Sequence, residues 1–179
     1  LSIASSDLLI KLSVKTGAAG NSTAGTPAGS LGKYISTTEI VDATLANLFD
    51  AISGDENAAS TVEYRCLFVH NAHGTLTLTS PVVWLYSETA GGASAAIAVD
   101  TTAASAIGAS AAQALQVADE LTAPSGLSFT APTSKGTGLA VGDIPAGECK
   151  AVWVRRTAAN TAALDVDGVV LRVEGDTSA

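Results

Sequence analysis

Two histidines stand three residues apart in the run His70-Asn71-Ala72-His73-Gly74. Two imidazoles at that spacing could share a metal ion, but no acidic residue or cysteine is placed with them, so the run reads as a polar turn. Cys66 and Cys149 lack a C-x-x-C partner and make a weak zinc site. Each sits inside a β-like run, and both read as buried thiols. Serines are plentiful, yet no G-x-S-x-G elbow occurs, and only the two turn histidines could act as a general base. Asp165 and Asp167 would point to one side of an extended chain, as would Glu174 and Asp176. Paired carboxylates can bind calcium or move protons, but no EF-hand spacing is present, and solvated strand ends explain them better. The glycines of residues 17–32 do not form a phosphate loop, because Gly32-Lys33 is followed by Tyr34 rather than Ser or Thr. Arg65, Arg155, Arg156 and Arg172 are the main arginine group, expected to pair with carboxylates or a partner. Trp84 and Trp153 read as core anchors of two strands, with a subunit interface as the sharper alternative for one of them. No catalytic, cofactor-binding or metal-binding residue is assigned, no cofactor is expected, and an enzyme is the least favoured class.

The elements that would carry these residues are mostly strands. Residues 7–15 alternate with period two. Residues 16–32 are rich in Gly, Ala, Ser and Thr, can bury little, and read as a long surface loop or arm. Val41, Leu45, Leu48, Phe49 and Ile52 follow helical spacing, which predicts a short helix near 45–52 with Gly54 as its stop. Ser36 and Glu39 have the spacing of a capping box, although the β-branched residues around them favour extended chain first. Residues 61–71 are apolar on both faces: Val62, Tyr64, Cys66 and Phe68 share one parity, Leu67 and Val69 the other. Such a strand is central or covered by a partner. Residues 75–79 and 82–87 look like following antiparallel strands joined by tight connections, with a bulge or break at Pro81. Ile97 and Val99 suggest a short strand ending at Asp100. Residues 103–119 are alanine-rich and leave strand and helix both open. Residues 122–135 read as loop, strand, loop. Residues 148–156 form a strand with Val152 and Val154 opposite Ala151 and Trp153. Residues 164–166 and 168–174 read as strands around the hairpin dipeptide Asp167-Gly168.

Composition narrows the classes. The chain has 179 residues, 47% of them hydrophobic and 15% charged, which is too apolar for disorder throughout. Nine Lys and Arg against 17 Asp and Glu give a net charge of −8, a poor basis for binding phosphate backbones. No apolar run approaches the roughly 18–20 residues a membrane span needs. No basic region followed by an apolar one opens the chain, so no signal peptide is visible. With no Met in the chain and a large Leu1, the expectation is a missing or processed start. Many short strands with Gly and Pro turns predict one all-β domain over residues 1–179. The expected form is an antiparallel β-sandwich, jelly-roll or immunoglobulin-like, with one short helix. Residues 1–32 would supply a partly extended N-terminal strand and a Gly/Ala-rich arm.

The runs EYRCLFVHNAHGTLTLTSPVVWLYSET, TAPSGLSFTAPT and LAVGDIPAGECKAVWVRRT, with GVVLRVEGDT, resemble small virion proteins of tailed bacteriophages. They are similar in particular to decoration, or cement, proteins of the head, and STTEIVDATLANLFDAISG fits the same pattern. The resemblance implies a non-enzymatic structural protein that binds the outer surface of the capsid and stabilises the shell. Its partner would be the major capsid protein, and it would form a homo-oligomer, trimer or dimer, at capsid symmetry axes. Neither nucleic acid nor membrane is expected as a partner. Its location would be the virion surface, and the host cytoplasm during assembly. Two other expectations differ in class. One is a tail, fibre or baseplate module binding a host-surface ligand, weakened by 4% aromatics. The other is a bacterial surface adhesin-like module, which would carry a signal sequence and a Cys66–Cys149 disulfide.

Overall fold

The computed structural model describes residues 2–16 and 22–177. Nine strands account for most of the regular structure: β1 (Leu8–Val14), β2 (Tyr34–Glu39), β3 (Val62–Asn71), β4 (Leu78–Glu88), β5 (Ser94–Val99), β6 (Ser105–Ala106), β7 (Leu139–Ala140), β8 (Glu148–Thr157) and β9 (Val169–Thr177). One short helix, α1 (Gly54–Ala59), precedes β3. The strands form two antiparallel sheets. The large one has the order β2-β1-β3-β8-β5, with β6 continuing beside β8, and the small one has the order β7-β4-β9.

The two-faced pattern of β3 and β8 explains the layering. Their odd and even residues face different cores. Leu67 and Val69 join Val152 and Val154 against Val83 and Leu85 of the small sheet, an all-aliphatic sandwich interior. Cys66, Phe68, Ala151 and Trp153 face the other way together with Ile35 of β2, under Leu31, Ala114 and Val117. That second layer is mostly irregular chain. Each fully buried aliphatic side chain contributes about 1.5–3 kcal/mol, so both cores matter to stability. Trp84 and Trp153 are both buried, as core anchors should be. Cys66 and Cys149 are buried free thiols.

Several expectations need correction. Residues 45–52 are not a helix. Ala43 and Ala46 have φ of 55° and 56°, left-handed kinks that break the helical path, while Leu48 and Phe49 still pack inward. The helix begins at Gly54, where the expected one was to stop. Ser53 Oγ accepts from Glu56 N at 3.3 Å and the Glu56 carboxylate accepts from Ser53 N at 2.7 Å, a reciprocal cap for α1. That pair holds Glu56 below the usual carboxylate range. Ser36 and Glu39 lie instead in β2. β3 and β4 are not paired with each other: the chain passes between sheets after Asn71. The break at Pro81 is real, since the β4–β9 register shifts between Thr79 and Val82. Asp167-Gly168 does not turn a hairpin, because residues 164–166 form no strand and β9 pairs with β4. Residues 103–119 contain only the two-residue β6. Of the expected arm, residues 17–21 lie outside the described residues. Ser30 and Leu31 are buried rather than on a surface loop. Gly32 explains why that segment fits: at φ +91°, a Cβ there would stand 1.9 Å from Leu115 O.

Candidate functional site

The densest group of charges closes one end of the sandwich. Glu63 and Arg65 share the face of β3 that carries the inward-facing Leu67 and Val69, and Arg156 sits directly across from Glu63 on β8. The inner face thus turns from aliphatic to ionic at this end. Phe49 packs beneath both guanidinium groups, 4.7 Å from that of Arg156 and 5.4 Å from that of Arg65. Arg156 donates to the Glu63 carboxylate through Nε at 2.9 Å and through Nη2, and also to the backbone carbonyl of Asp50. Arg65 donates to Glu120 and stands 3.9 Å from the Asp50 carboxylate. Glu63 and Arg65 are each only 1% exposed.

Carboxylate oxygens of Asp50, Glu63 and Glu120 lie within 4.8 Å of one another, a spacing that a divalent cation could use. The two arginines already occupy that position. Three carboxylates against two guanidiniums leave one net negative charge, and an incoming cation would face two fixed positive ones. The group therefore works as an ion lock that ties residues 50 and 120 to the sheet. Breaking such a buried pair from one side costs about 3–5 kcal/mol. The expected pairing of Arg65 and Arg156 with carboxylates is what the structure has. Arg155 instead lies over Phe129, and Arg172 over Tyr86 at 3.4 Å.

A second polar group pins the irregular layer to the back of the large sheet. The buried Asp100 carboxylate accepts from Trp153 Nε1 at 2.8 Å, Leu115 N at 2.9 Å and Thr102 N at 2.8 Å. Lys150 donates to the carbonyls of Asp100 and Thr102, and burial pushes its ammonium pKa down. Gln113 accepts from Ile35 N and donates to Ala106 O.

The structure brings His70 and Cys149 directly opposite each other on β3 and β8, a juxtaposition that only strand register reveals. It does not make a catalytic dyad. Cys149 Sγ turns to Ser105 O at 3.6 Å and accepts from Gln113 at 3.4 Å. Burial pushes its thiol up to about 12, and pushes Cys66 well above the usual thiol value, so neither is a ready thiolate. His70 is buried, and burial with Lys11 nearby holds its pKa below the usual value. His73 belongs to the turn: its Nδ1 accepts from Thr75 N at 3.1 Å and Leu76 N at 3.0 Å. Asp167 caps the neighbouring loop by accepting from Ala93 N at 2.7 Å. Glu174 pairs with Lys135 at 2.6 Å on the exposed face of β9.

The remaining feature is an opening on the side of the sandwich. The three-stranded sheet does not cover the larger one, and a groove of about 360 Å³ lies between β9 and β1. Leu8, Ile10 and Leu67 come to it from the large sheet, Val83 from β4, Leu171, Arg172 and Val173 from β9, and Ser5 and Asp42 from chain outside the strands. Sequence reasoning missed it, because a groove between two sheets depends on which strand lacks a neighbour. No protein-family model, curated protein or solved structure matches this chain.

Proposed function

We propose that this protein is a non-enzymatic structural subunit that binds the outer surface of a tailed-bacteriophage capsid and stabilises the shell. The observation that carries it is a set of large apolar side chains standing in solvent on tied loops. Val41, Leu45, Leu121, Leu164 and Val166 are all exposed. Their loops are held together: the ion lock joins residues 50 and 120, and Asn57 donates to Thr161 O at 2.7 Å. Apolar groups on rigid loops suit docking onto another protein surface, where ordering costs little on binding. Many copies on a symmetric shell multiply a modest contact, and a homo-oligomer at capsid symmetry axes, trimer or dimer, suits that arrangement. The sandwich is read as a Greek-key type, jelly-roll or immunoglobulin-like. Its support is that the chain crosses between sheets from β3 to β4, from β4 to β5 and from β8 to β9.

Sedimentation of purified protein with expanded shells of the encoding phage tests this. The expected result is saturable binding at a fixed ratio to shell subunits, weakened by the double change Leu164→Ser and Val166→Ser. Absence of binding to expanded shells would remove the proposal. A second reading, a tail or fibre module that binds host-surface carbohydrate, draws on Tyr86, the exposed aromatic ring among the described residues. Arg172 covers one face of that ring, which leaves little for a sugar to stack on. Glycan-array binding without shell binding would favour this alternative.

A further inference from the structure

We propose that the open edge of β9 takes an extended segment of a partner protein as a fourth strand of the small sheet. That segment would carry apolar residues on one side and, on the other, a carboxylate facing Arg172.

The backbone of β9 supplies the first argument. Thr89 N donates to Gly168 O, so residue 168 turns its polar groups toward β4. In an antiparallel ladder this orientation alternates. Val170, Arg172 and Glu174 therefore bond to β4, while Leu171, Val173 and Gly175 direct their N–H and C=O groups away from it. The β4 side agrees: Val141 N donates to Pro81 O and Leu85 N donates to Pro132 O, so between the two register shifts the odd residues of β4 turn from β9. In the small sheet β9 has β4 on one side and no strand on the other. It is nine residues long and contains no proline or lysine, the usual guards of an exposed edge.

The groove supplies the second. Leu8 and Ile10 of β1 lie under the space beyond β9. A strand added there would lower its inward side chains onto them, beside Leu171 and Val173. The same placement excludes a second copy pairing through its own β9. Each copy would bring its own β1 and β2 into the layer the other already fills. An isolated extended segment has no such layer.

Charge supplies the third. Arg172 is exposed on the outer face of β9, stacked on Tyr86, and forms no ion pair among the described residues. Its neighbour Glu174 is already paired with Lys135. A cross-strand carboxylate opposite Arg172 would complete the pattern. This proposal stands apart from the capsid reading, since a shell can be bound through loops alone and β9 can accept a strand from any protein.

The test is a titration of ¹⁵N-labelled protein with a blocked nine-residue peptide. The peptide has valine at even positions, glutamate at the centre and serine or threonine elsewhere; a control carries lysine at the centre. The glutamate peptide should slow amide exchange at Leu171 and Val173 while leaving Arg172, already bonded to β4, unchanged. Arg172→Glu should weaken its binding on the order of tenfold and reverse the preference toward the lysine peptide. Arg172→Gln, which should bind both peptides alike, serves if the charge reversal does not fold. Three results would overturn the proposal: no effect on β9 amides, equal binding of both peptides by wild type and variant, or Leu171 and Val173 already protected in a concentration-dependent way in the free protein.

Discussion

The two faces of the large sheet are closed by different means. On the inner face β3 and β8 meet three regular strands through aliphatic contacts, and the cover stops short at the groove beside β9. On the back face the cover is irregular chain held by hydrogen bonds to Asp100 and Gln113. Regular structure thus coincides with the side that carries the groove, and irregular structure with the side that carries the polar hubs. Irregular chain must satisfy its backbone groups one at a time, so it needs buried polar hubs. A sheet satisfies its own interior and leaves the deficit at an edge. Buried polar hubs anchor the back face, while the inner face leaves the groove beside β9 open.

On the back face the largest effect should come at Gly32, comparable to the lower end of what breaking the ion lock costs. Gly32→Ala forces a Cβ into Leu115 O at a positive φ, and should cost on the order of 3 kcal/mol, read as a fall in the denaturation midpoint. A wild-type midpoint would mean that residues 30–32 are not packed as described. Asp100→Asn should cost about 2 kcal/mol, because an amide cannot accept from Trp153, Leu115 and Thr102 together without aiming a donor at one of them. Near-ultraviolet circular dichroism should report the change at Trp153.

Titration sharpens the contrast next. His70 faces the back layer, and its pKa in the fold is depressed by burial, then by Lys11, with Glu39 opposing. The unfolded chain takes up that proton near pH ~6.5 and the folded chain resists it. Stability from this group is therefore whole above about pH 6.5 and is lost as pH falls through the folded value. His70→Gln should flatten that part of the stability curve, and an unchanged slope would contradict the burial of His70. The thiols should behave as sealed groups: a thiol reagent near pH 8 should find neither cysteine in the native protein and both after unfolding. The smallest effect belongs to the open side. Val170→Ser, on the exposed face of β9, should shift stability by less than about 0.5 kcal/mol.

The same contrast explains what the sequence made legible. Strand periodicity identified β1, β3 and β8, and the apolar residues of both parities in β3 already announced two covers. What covers each face was not visible. Leu48 and Phe49 sit at helical spacing, but they pack inward from a chain kinked at Ala43 and Ala46, so periodicity misled there. The Asp167-Gly168 pair carries a strong turn preference that lost to pairing of β9 with β4. Arg65 and Arg156 were expected to pair, yet their acids come from residues 50, 63 and 120, distances in sequence that no local pattern spans.

The most direct test of the proposed role is cryo-electron microscopy of the native phage particle with this chain traced in the map. The account predicts density for the sandwich at repeated symmetry-related positions on the outer surface of the shell. Density confined to the tail, or absent from the particle, would contradict it.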